Sequence, residues 1–403
     1  MILYFIGLTE SYEGEGYDRK NLKIPQNQEE LLAEIAETVG KDHIAAISFG
    51  GAPMDFSFEK NVGAILHMYL GGQAVGESVA DLISGEVNPS GKLAETIPFS
   101  EKDTPAWRYF APPNDDVEYR ESIFVGYRYY ETFHVPVKYP FGYGLSYTSF
   151  SYSELNVPEV YSGGKIQIRF KIKNIGKVSG AEIAQLYICP IESDVIRSHI
   201  ELKEFQKIYL HPGEEKEVIL ELDERSFSVY DVEKKAFSML SGKYQICIGA
   251  SVHDLQLKAN MEVVGNSYFR NERELFPDYF REQPHGMEIS AEQFYQLLGG
   301  EPKHDKEKKR GEYTVYDSYQ DVVNVSMFGK FVRGVVHIGL KIILRGKSER
   351  DPAFKMVKMG VEEGNLEGLI ATSGGIATPK LIDMLVYNAN KKYLQAFKRL
   401  LKK

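Results

Sequence analysis

The first 150 residues alternate short apolar runs with stretches of helical periodicity. The runs at 2–8 and 43–49 are short and almost continuously apolar, which predicts buried strands. Residues 26–38 place their apolar side chains on one face and predict an amphipathic helix. Residues 61–70 are also interpreted as a short helix, and another is predicted to end near Gly85. Short strands separated by helices are typical of an α/β layer with a mostly parallel sheet.

The pattern changes after residue 150. Residues 165–172 alternate strictly between polar and apolar, and similar short runs lie at 217–222 and 244–248 with glycine and proline turns between them. Regular short strands with turn signals predict a β-sandwich over residues 151–265. Cys189 and Cys247 lie in strand-like runs, so we interpret them as buried free thiols.

The remaining residues differ again and are rich in lysine and arginine. The pattern predicts a linker at 266–310 and a helical extension at 311–403, after an α/β layer at 1–150. Residues 328–344 are apolar but interrupted by basic side chains, and they are too short to span a bilayer. Such a helix lies either on a membrane or partner surface, or against this protein or a neighbouring domain. The second interpretation is favoured.

Composition narrows the functional classes. The chain of 403 residues is 43% hydrophobic and 26% charged, which is typical of a protein that buries a core. A net charge of -9 argues against nucleic-acid binding by the whole chain. Two cysteines and scattered histidines predict no disulfide framework, no metal and no cofactor. Residues 1–8 lack the features of a signal peptide, so we expect a cytoplasmic protein. Because the same residues have the pattern of a core strand, we also expect a segment to precede them.

The candidate chemistry lies in an acidic loop directly after the first strand. It carries Glu10, Glu13, Glu15, Asp18 and Arg19, at the carboxyl end of a predicted parallel strand, where such sheets carry their functional loops. Glycines on both sides of Glu15 allow its carboxyl to approach a ligand closely, and an Asp18–Arg19 ion pair would fix the loop. A carboxyl whose pKa is raised by burial or by a neighbouring carboxylate suits general acid/base catalysis. The spacing of these acidic residues, taken alone, favours a solvated surface loop over a catalytic one.

Five segments follow one another in this region, and a short motif lies in the tail. They are residues 7–19 with Glu15-Gly16-Tyr17-Asp18-Arg19, residues 71–77, 85–93, 119–130 and 140–147, and Ser373-Gly374-Gly375. In their order and spacing the five segments resemble glycoside hydrolase family 3, the β-glucosidase family. The resemblance covers residues 1 to about 265 and implies the family's (α/β)6 sandwich domain, without its opening part, and its fibronectin-type-III-like domain. The tail is similar to the C-terminal extension of long bacterial members, with Ser373 at a helix entry.

The resemblance implies a retaining mechanism that uses two carboxylates. Glu15 matches the general acid/base, which protonates the glycosidic oxygen and then activates water. Asp18 and Arg19 match loop-fixing positions, and Glu10 and Glu13 are acidic neighbours. The choice between Glu13 and Glu15 rests on the motif.

One part of the family pattern is absent. The family's nucleophile is an aspartate in a Ser-Asp-Trp segment of a TIM-like barrel, whereas the single tryptophan here, Trp107, lies in an unrelated loop. We therefore expect a truncated chain that is inactive alone, and a barrel domain or chain as its partner in hydrolysing β-linked glucosides. The alternative is a non-catalytic remnant or an interaction module for carbohydrate or protein. An apolar patch is expected where the missing parts would pack.

Overall fold

The computed structural model describes residues 1–10, 12–14, 19, 21–110, 117–265, 271–302, 308–344 and 351–401. The chain divides into two compact units. One comprises Met1–Ala52, Asn61–His67 and Lys303–Lys403, and the other comprises Pro53–Lys60 and Met68–Pro302.

A three-stranded parallel sheet opens the first unit. Its elements are β1 (Ile2–Gly7), α1 (Gln26–Val39), β2 (Ile44–Phe49) and β3 (Ala64–His67). The strand order is β1-β2-β3, and both pairings are parallel. Helix α1 ends at Gly40, whose φ of 83° favours glycine. The two strands and the helix predicted at 2–8, 43–49 and 26–38 are confirmed.

The helix predicted at residues 61–70 is wrong, because Ala64–His67 forms strand β3. Ile65 pairs with Ala46, and Leu66 pairs with Ile47. The periodicity of an apolar run this short is compatible with either a strand or a helix. Here the edge of β2 supplies backbone hydrogen bonds, which stabilise the strand.

One face of strand β1 leaves apolar side chains in solvent. Leu3 is 41% and Phe5 is 58% exposed, although the Phe5 ring stacks on Phe49 with centroids 6.3 Å apart. The apolar patch expected where missing parts of the family fold would pack stays a prediction.

The second unit begins with helices and short strands. They are α2 (Val75–Ser84), β4 (Ile97–Pro98), α3 (Tyr127–Thr132) and β5 (Val137–Tyr139), and β4 pairs with β5. Helix α2 ends at Gly85, as predicted, and this glycine is left-handed with φ 81°.

A β-sandwich follows. Its strands are β6 (Phe150–Asn156), β7 (Val160–Tyr161), β8 (Ile166–Asn174), β9 (Gly180–Pro190), β10 (Glu201–Leu210), β11 (Glu215–Leu222), β12 (Ser228–Asp231), β13 (Ala236–Met239), β14 (Gly242–Gly249) and β15 (Leu255–Val263). Sheets ordered β10-β9-β14-β15-β7 and β11-β8-β6 enclose a core that includes Phe170, Leu186 and Ile246. The predicted sandwich is confirmed. Cys189 and Cys247 are buried free thiols as predicted, with their Sγ atoms 3.8 Å apart.

Residues 271–298 differ from the predicted linker. They form α4 (Glu272–Leu275) and α5 (Ala291–Leu298), and the segment between these helices buries Phe276 and Tyr279 against Phe124. Large buried aromatic side chains anchor this segment, whereas a linker makes few contacts. Phe124, from the aromatic 90–150 region, therefore serves packing.

The tail is helical, as predicted, and has a core of its own. Its helices are α6 (Tyr319–Asn324), α7 (Met327–Ile343), α8 (Pro352–Glu362), α9 (Leu366–Thr372), α10 (Pro379–Ala389) and α11 (Tyr393–Leu401). Val322, Val332 and Leu385 lie in the shared core. Ser373 caps the end of α9, so the expected helix entry there is wrong; Gly374 and Gly375, with φ 62° and 91°, turn the chain toward α10. Across the ranges that the structure describes, no helix has the length and apolarity needed to cross a membrane.

Candidate active site

The carboxyl end of strand β1 leads directly into the acidic loop. At Gly7 the chain passes so close to β2 that an added Cβ would lie 2.8 Å from the carbonyl oxygen of Phe49. The Gln28 side chain accepts a hydrogen bond from the Gly7 amide at 2.9 Å and donates one to the Gly7 carbonyl at 3.1 Å. Helix α1 and strand β2 therefore fix the direction in which the loop leaves the sheet.

A turn inside the loop positions Glu13. The amides of Tyr12 and Glu13 both donate to the Thr9 carbonyl, at 2.8 and 3.0 Å. The Glu13 Oε1 atom then accepts a hydrogen bond from the amide of Gly51, which follows strand β2, at 2.5 Å. A carboxylate that accepts a backbone N–H bond forms a strong, charge-assisted contact. Glu13 thus joins the loops at the ends of two neighbouring strands.

The other loop residues divide into two groups. Glu10 is exposed, and Arg19 is partly buried. Glu15 and Asp18 lie outside the described residues. The roles predicted for these four residues stay predictions.

The same edge of the sheet carries a polar pair that the sequence interpretation missed. Ser48 Oγ and His67 Nδ1 lie 2.9 Å apart, at the carboxyl ends of β2 and β3. Burial lowers the pKa of His67 to about 4, against an opposing hydrogen bond to the Ser48 backbone, so the imidazole is neutral near pH 7. Ser48 is fully buried and cannot reach a substrate as a nucleophile. Because the two residues are 19 positions apart, only strand pairing brings them together.

The second unit contains one partly buried and one buried carboxyl group that the sequence interpretation also missed. Burial raises the pKa of Glu95, although its hydrogen bond with Tyr69 opposes the shift. Burial also raises the pKa of Glu121, whose residue is 6% exposed. Groups of this kind hold protons at higher pH than ordinary carboxyls. Glu95 and Glu121 match no catalytic motif, and the burial of a lone glutamate leaves no pattern in the neighbouring sequence that would predict it.

Two protein-family models match this chain. Residues 1–147 match the glycosyl hydrolase family 3 C-terminal domain, and residues 182–252 match the fibronectin type III-like domain. Both matches agree with the motif resemblance of this chain to the C-terminal half of glycoside hydrolase family 3.

Known relatives agree with this assignment. Thermostable β-glucosidase B of Acetivibrio thermocellus is 44% identical over 261 residues, which cover 64% of this chain and 34% of the relative. An exo-α-(1→6)-L-arabinopyranosidase of Bifidobacterium breve is 36% identical over 66% of this chain and 35% of its own length. Among solved structures, the family 3 β-glucosidase of Bifidobacterium adolescentis superposes with a TM-score of 0.63 at 37% identity, covering 66% of this chain and 39% of that one. The chain spans about a third of the length of the curated relatives it matches.

Proposed function

We propose that this chain supplies the general acid/base carboxyl, Glu15, of a retaining β-glucosidase-like site that hydrolyses O-glycosidic bonds. The observation that carries the proposal is the anchoring of the acidic loop, at Gly7 by Gln28 and at Glu13 by Gly51. This loop lies at the carboxyl edge of a parallel sheet, within the segment matched to the family 3 C-terminal domain.

The mechanism gives Glu15 two roles. In the first step its protonated carboxyl donates a proton to the glycosidic oxygen as the bond to the sugar breaks. In the second step its carboxylate removes a proton from the water that releases the sugar. Retention requires a second carboxylate, the nucleophile, about 5–5.5 Å away.

Glu13 has a supporting role in this proposal. Its Oε1 atom is engaged by the Gly51 amide, and a general acid needs its proton and oxygen free for the substrate. In this proposal an ion pair between Asp18 and Arg19 would fix the loop.

The nucleophile would come from outside these 403 residues, either from another part of a longer chain or from a second chain. The only tryptophan, Trp107, follows Pro105-Ala106, so the sequence contains no Ser-Asp-Trp segment. A TIM-like barrel with that segment is the proposed partner, and a β-linked glucoside is the proposed substrate. Residues 1–150 and 151–265 would form the two family domains, with 311–403 as an extension.

The test joins this chain to such a barrel. The full chain would replace the matching part of β-glucosidase B from Acetivibrio thermocellus, so that the core around Phe124 stays complete, and hydrolysis of an aryl β-glucoside would be measured. We expect an active chimera in which Glu15→Gln lowers kcat by a factor on the order of 100–10,000. With a nitrophenolate leaving group, which needs little protonation, the loss falls on the water step, so azide should restore turnover and yield glucosyl azide.

Glu37→Gln is the matched control, because Glu37 is an exposed glutamate on α1 away from the loop; its activity should equal that of the parent. An active chimera in which Glu15→Gln changes nothing would disprove the acid/base assignment. A folded chimera without activity would instead favour a non-catalytic module.

A further inference from the structure

Helix α7 carries a continuous row of exposed apolar side chains. The row consists of Met327, Phe331, Val335, Ile338 and Ile342, and their exposed fractions are 85%, 68%, 54%, 60% and 67%. Spacings of three and four residues place all five on one face of the helix, over about four turns. We call this face the α7 row. Isolated exposed apolar residues are ordinary, whereas a row of this length marks an interaction surface.

The α7 row is separate from the face that holds the helix in the tail. Val332 is buried in the tail core, and Phe328 and Val336 pack against the same core. The helix begins at Ser326, whose side chain accepts a hydrogen bond from the Gly329 amide at 2.9 Å. Packing and capping therefore stabilise α7 without using the row.

The charged residues of helix α7 itself all have one sign. From Met327 to Leu344 the sequence contains Lys330, Arg333, His337 and Lys341 and no acidic residue. All four basic side chains are exposed. Helical geometry places Lys330 and Lys341 along one flank of the row. Within the described part of the chain, neither lysine forms an ion pair.

Helix α11 repeats this chemistry. Leu394, Phe397 and Leu401 are 79%, 60% and 69% exposed. The helix contains Lys398 and Arg399 and no acidic residue, although Arg399 is paired with Asp383 of α10 at 2.8 Å. The tail is thus apolar and basic on two helices, although the whole chain has a net charge of -9.

We propose that the α7 row binds the surface of an anionic lipid bilayer. An apolar row flanked by lysines is the pattern of a helix that lies in the plane of the interface, where apolar side chains enter the acyl boundary and lysines contact lipid phosphates. A second copy of the chain fits less well, because two rows packed face to face would bring their acid-free, basic flanks together. This proposal is independent of the role given to Glu15.

The test is co-sedimentation of the full chain with vesicles at low salt. Vesicles of phosphatidylcholine with phosphatidylserine should bind the protein, and vesicles of phosphatidylcholine alone should bind it much less. Raising the salt concentration should release it. The variant Phe331→Glu/Ile338→Glu should weaken binding by about a hundredfold or more, since two inserted side chains are lost. The variants Lys330→Gln and Lys341→Gln should each weaken it roughly fivefold.

Phe205→Glu is the control, because Phe205 is a 59% exposed phenylalanine on β10 in the sandwich; it should bind as the parent does. Since the substituted α7 residues are exposed, circular dichroism and melting should match the parent. The proposal fails if the parent stays in the supernatant at low salt, or if the double variant binds as well as the parent. It also fails if the parent ignores vesicles but is a dimer that Phe331→Glu/Ile338→Glu converts to monomers, because the row then binds a second copy.

Discussion

The carboxylate of Glu13 and the backbone amide of Gly51 form a 2.5 Å hydrogen bond between the loops that follow strands β1 and β2. The two strands are parallel neighbours, so both loops leave the same edge of the sheet. The bond links the two adjacent loops to each other. Glu13 lies two residues before Glu15 in the sequence. The geometry of the candidate site therefore depends on an acidic residue that is not proposed to react.

Removing this bond should loosen the edge without unfolding the sheet. Glu13→Ala removes this partner of the Gly51 amide, and because Gly51 is exposed and water can replace the carboxylate, we expect a loss of about 0.5–1.5 kcal/mol. We expect faster hydrogen exchange at the Gly51 amide. Glu13→Gln keeps an acceptor oxygen and should lie between the parent and the alanine variant. Exchange at Gly51 that is unchanged in Glu13→Ala would contradict the assigned bond.

The close approach at Gly7 leads to a second prediction. Gly7→Ala places a Cβ 2.8 Å from the Phe49 carbonyl oxygen, which forces β1 away from β2. We expect a loss of about 1–3 kcal/mol in the free energy of unfolding, measured by urea titration. Gly76→Ala is the control: its Cβ meets nothing within 4 Å in helix α2, so it should stabilise the protein by about 0.5–1 kcal/mol. Equal effects of the two substitutions would refute the steric argument.

The elements that the sequence predicted well are those with a clear period or a clear terminator. Strand β1 is an uninterrupted apolar run, α2 stops at Gly85, and the alternation at 165–172 matches a sandwich strand. Strand β3 has only four residues, and its pairing with β2 decides its conformation. The linker prediction failed because Phe276 and Tyr279 are anchored by aromatic residues about 150 positions earlier in the chain.

The site was predictable only in part. A glycine-flanked carboxyl after a buried strand is a local signal, and family resemblance then selected Glu15. The contact between Glu13 and Gly51 spans 38 positions and could not be read from spacing. The contact between Ser48 and His67 was not predictable from spacing either, because parallel pairing of β2 and β3 aligns residues that are remote in sequence.

The lowered pKa of His67 predicts a dependence of stability on pH. The ordinary pKa of 6.5 describes the unfolded chain, and burial lowers the folded value to about 4. Between these values only the unfolded state is protonated, so the contribution of His67 to stability is complete above pH 6.5 and declines as the pH falls to 4. After allowance for the partial exposure of His67, we expect the free energy of unfolding to fall by about 2 kcal/mol over this pH range.

The measurement is the free energy of unfolding between pH 4 and 7, compared with His67→Gln, which cannot titrate there. The difference between the two proteins should be steepest near pH 5–6. An NMR titration of His67 with a midpoint near 6.5 would show that burial does not act as described.

Asn390 ties the start of the tail to helix α10. Its Oδ1 atom accepts hydrogen bonds from the amides of Gly311 and Tyr313, both at 2.9 Å, and its Nδ2 atom donates to the Tyr313 carbonyl at 2.7 Å. The residue is 8% exposed, so water cannot easily replace these bonds. Asn390→Ala leaves three backbone groups unsatisfied and should lower tail stability by about 2–4 kcal/mol.

Limited proteolysis detects this loss, because cleavage between Gly311 and Tyr319 follows local opening of the tail. The exposed Asn324 provides the control, since Asn324→Ala should change stability by less than about 0.5 kcal/mol. Asn390→Asp keeps the acceptor oxygen but loses the donor, so its cleavage rate should lie between those of the parent and Asn390→Ala. If Asn390→Ala is cleaved no faster than Asn324→Ala, the helical core alone holds the segment, and the asparagine contributes nothing to it.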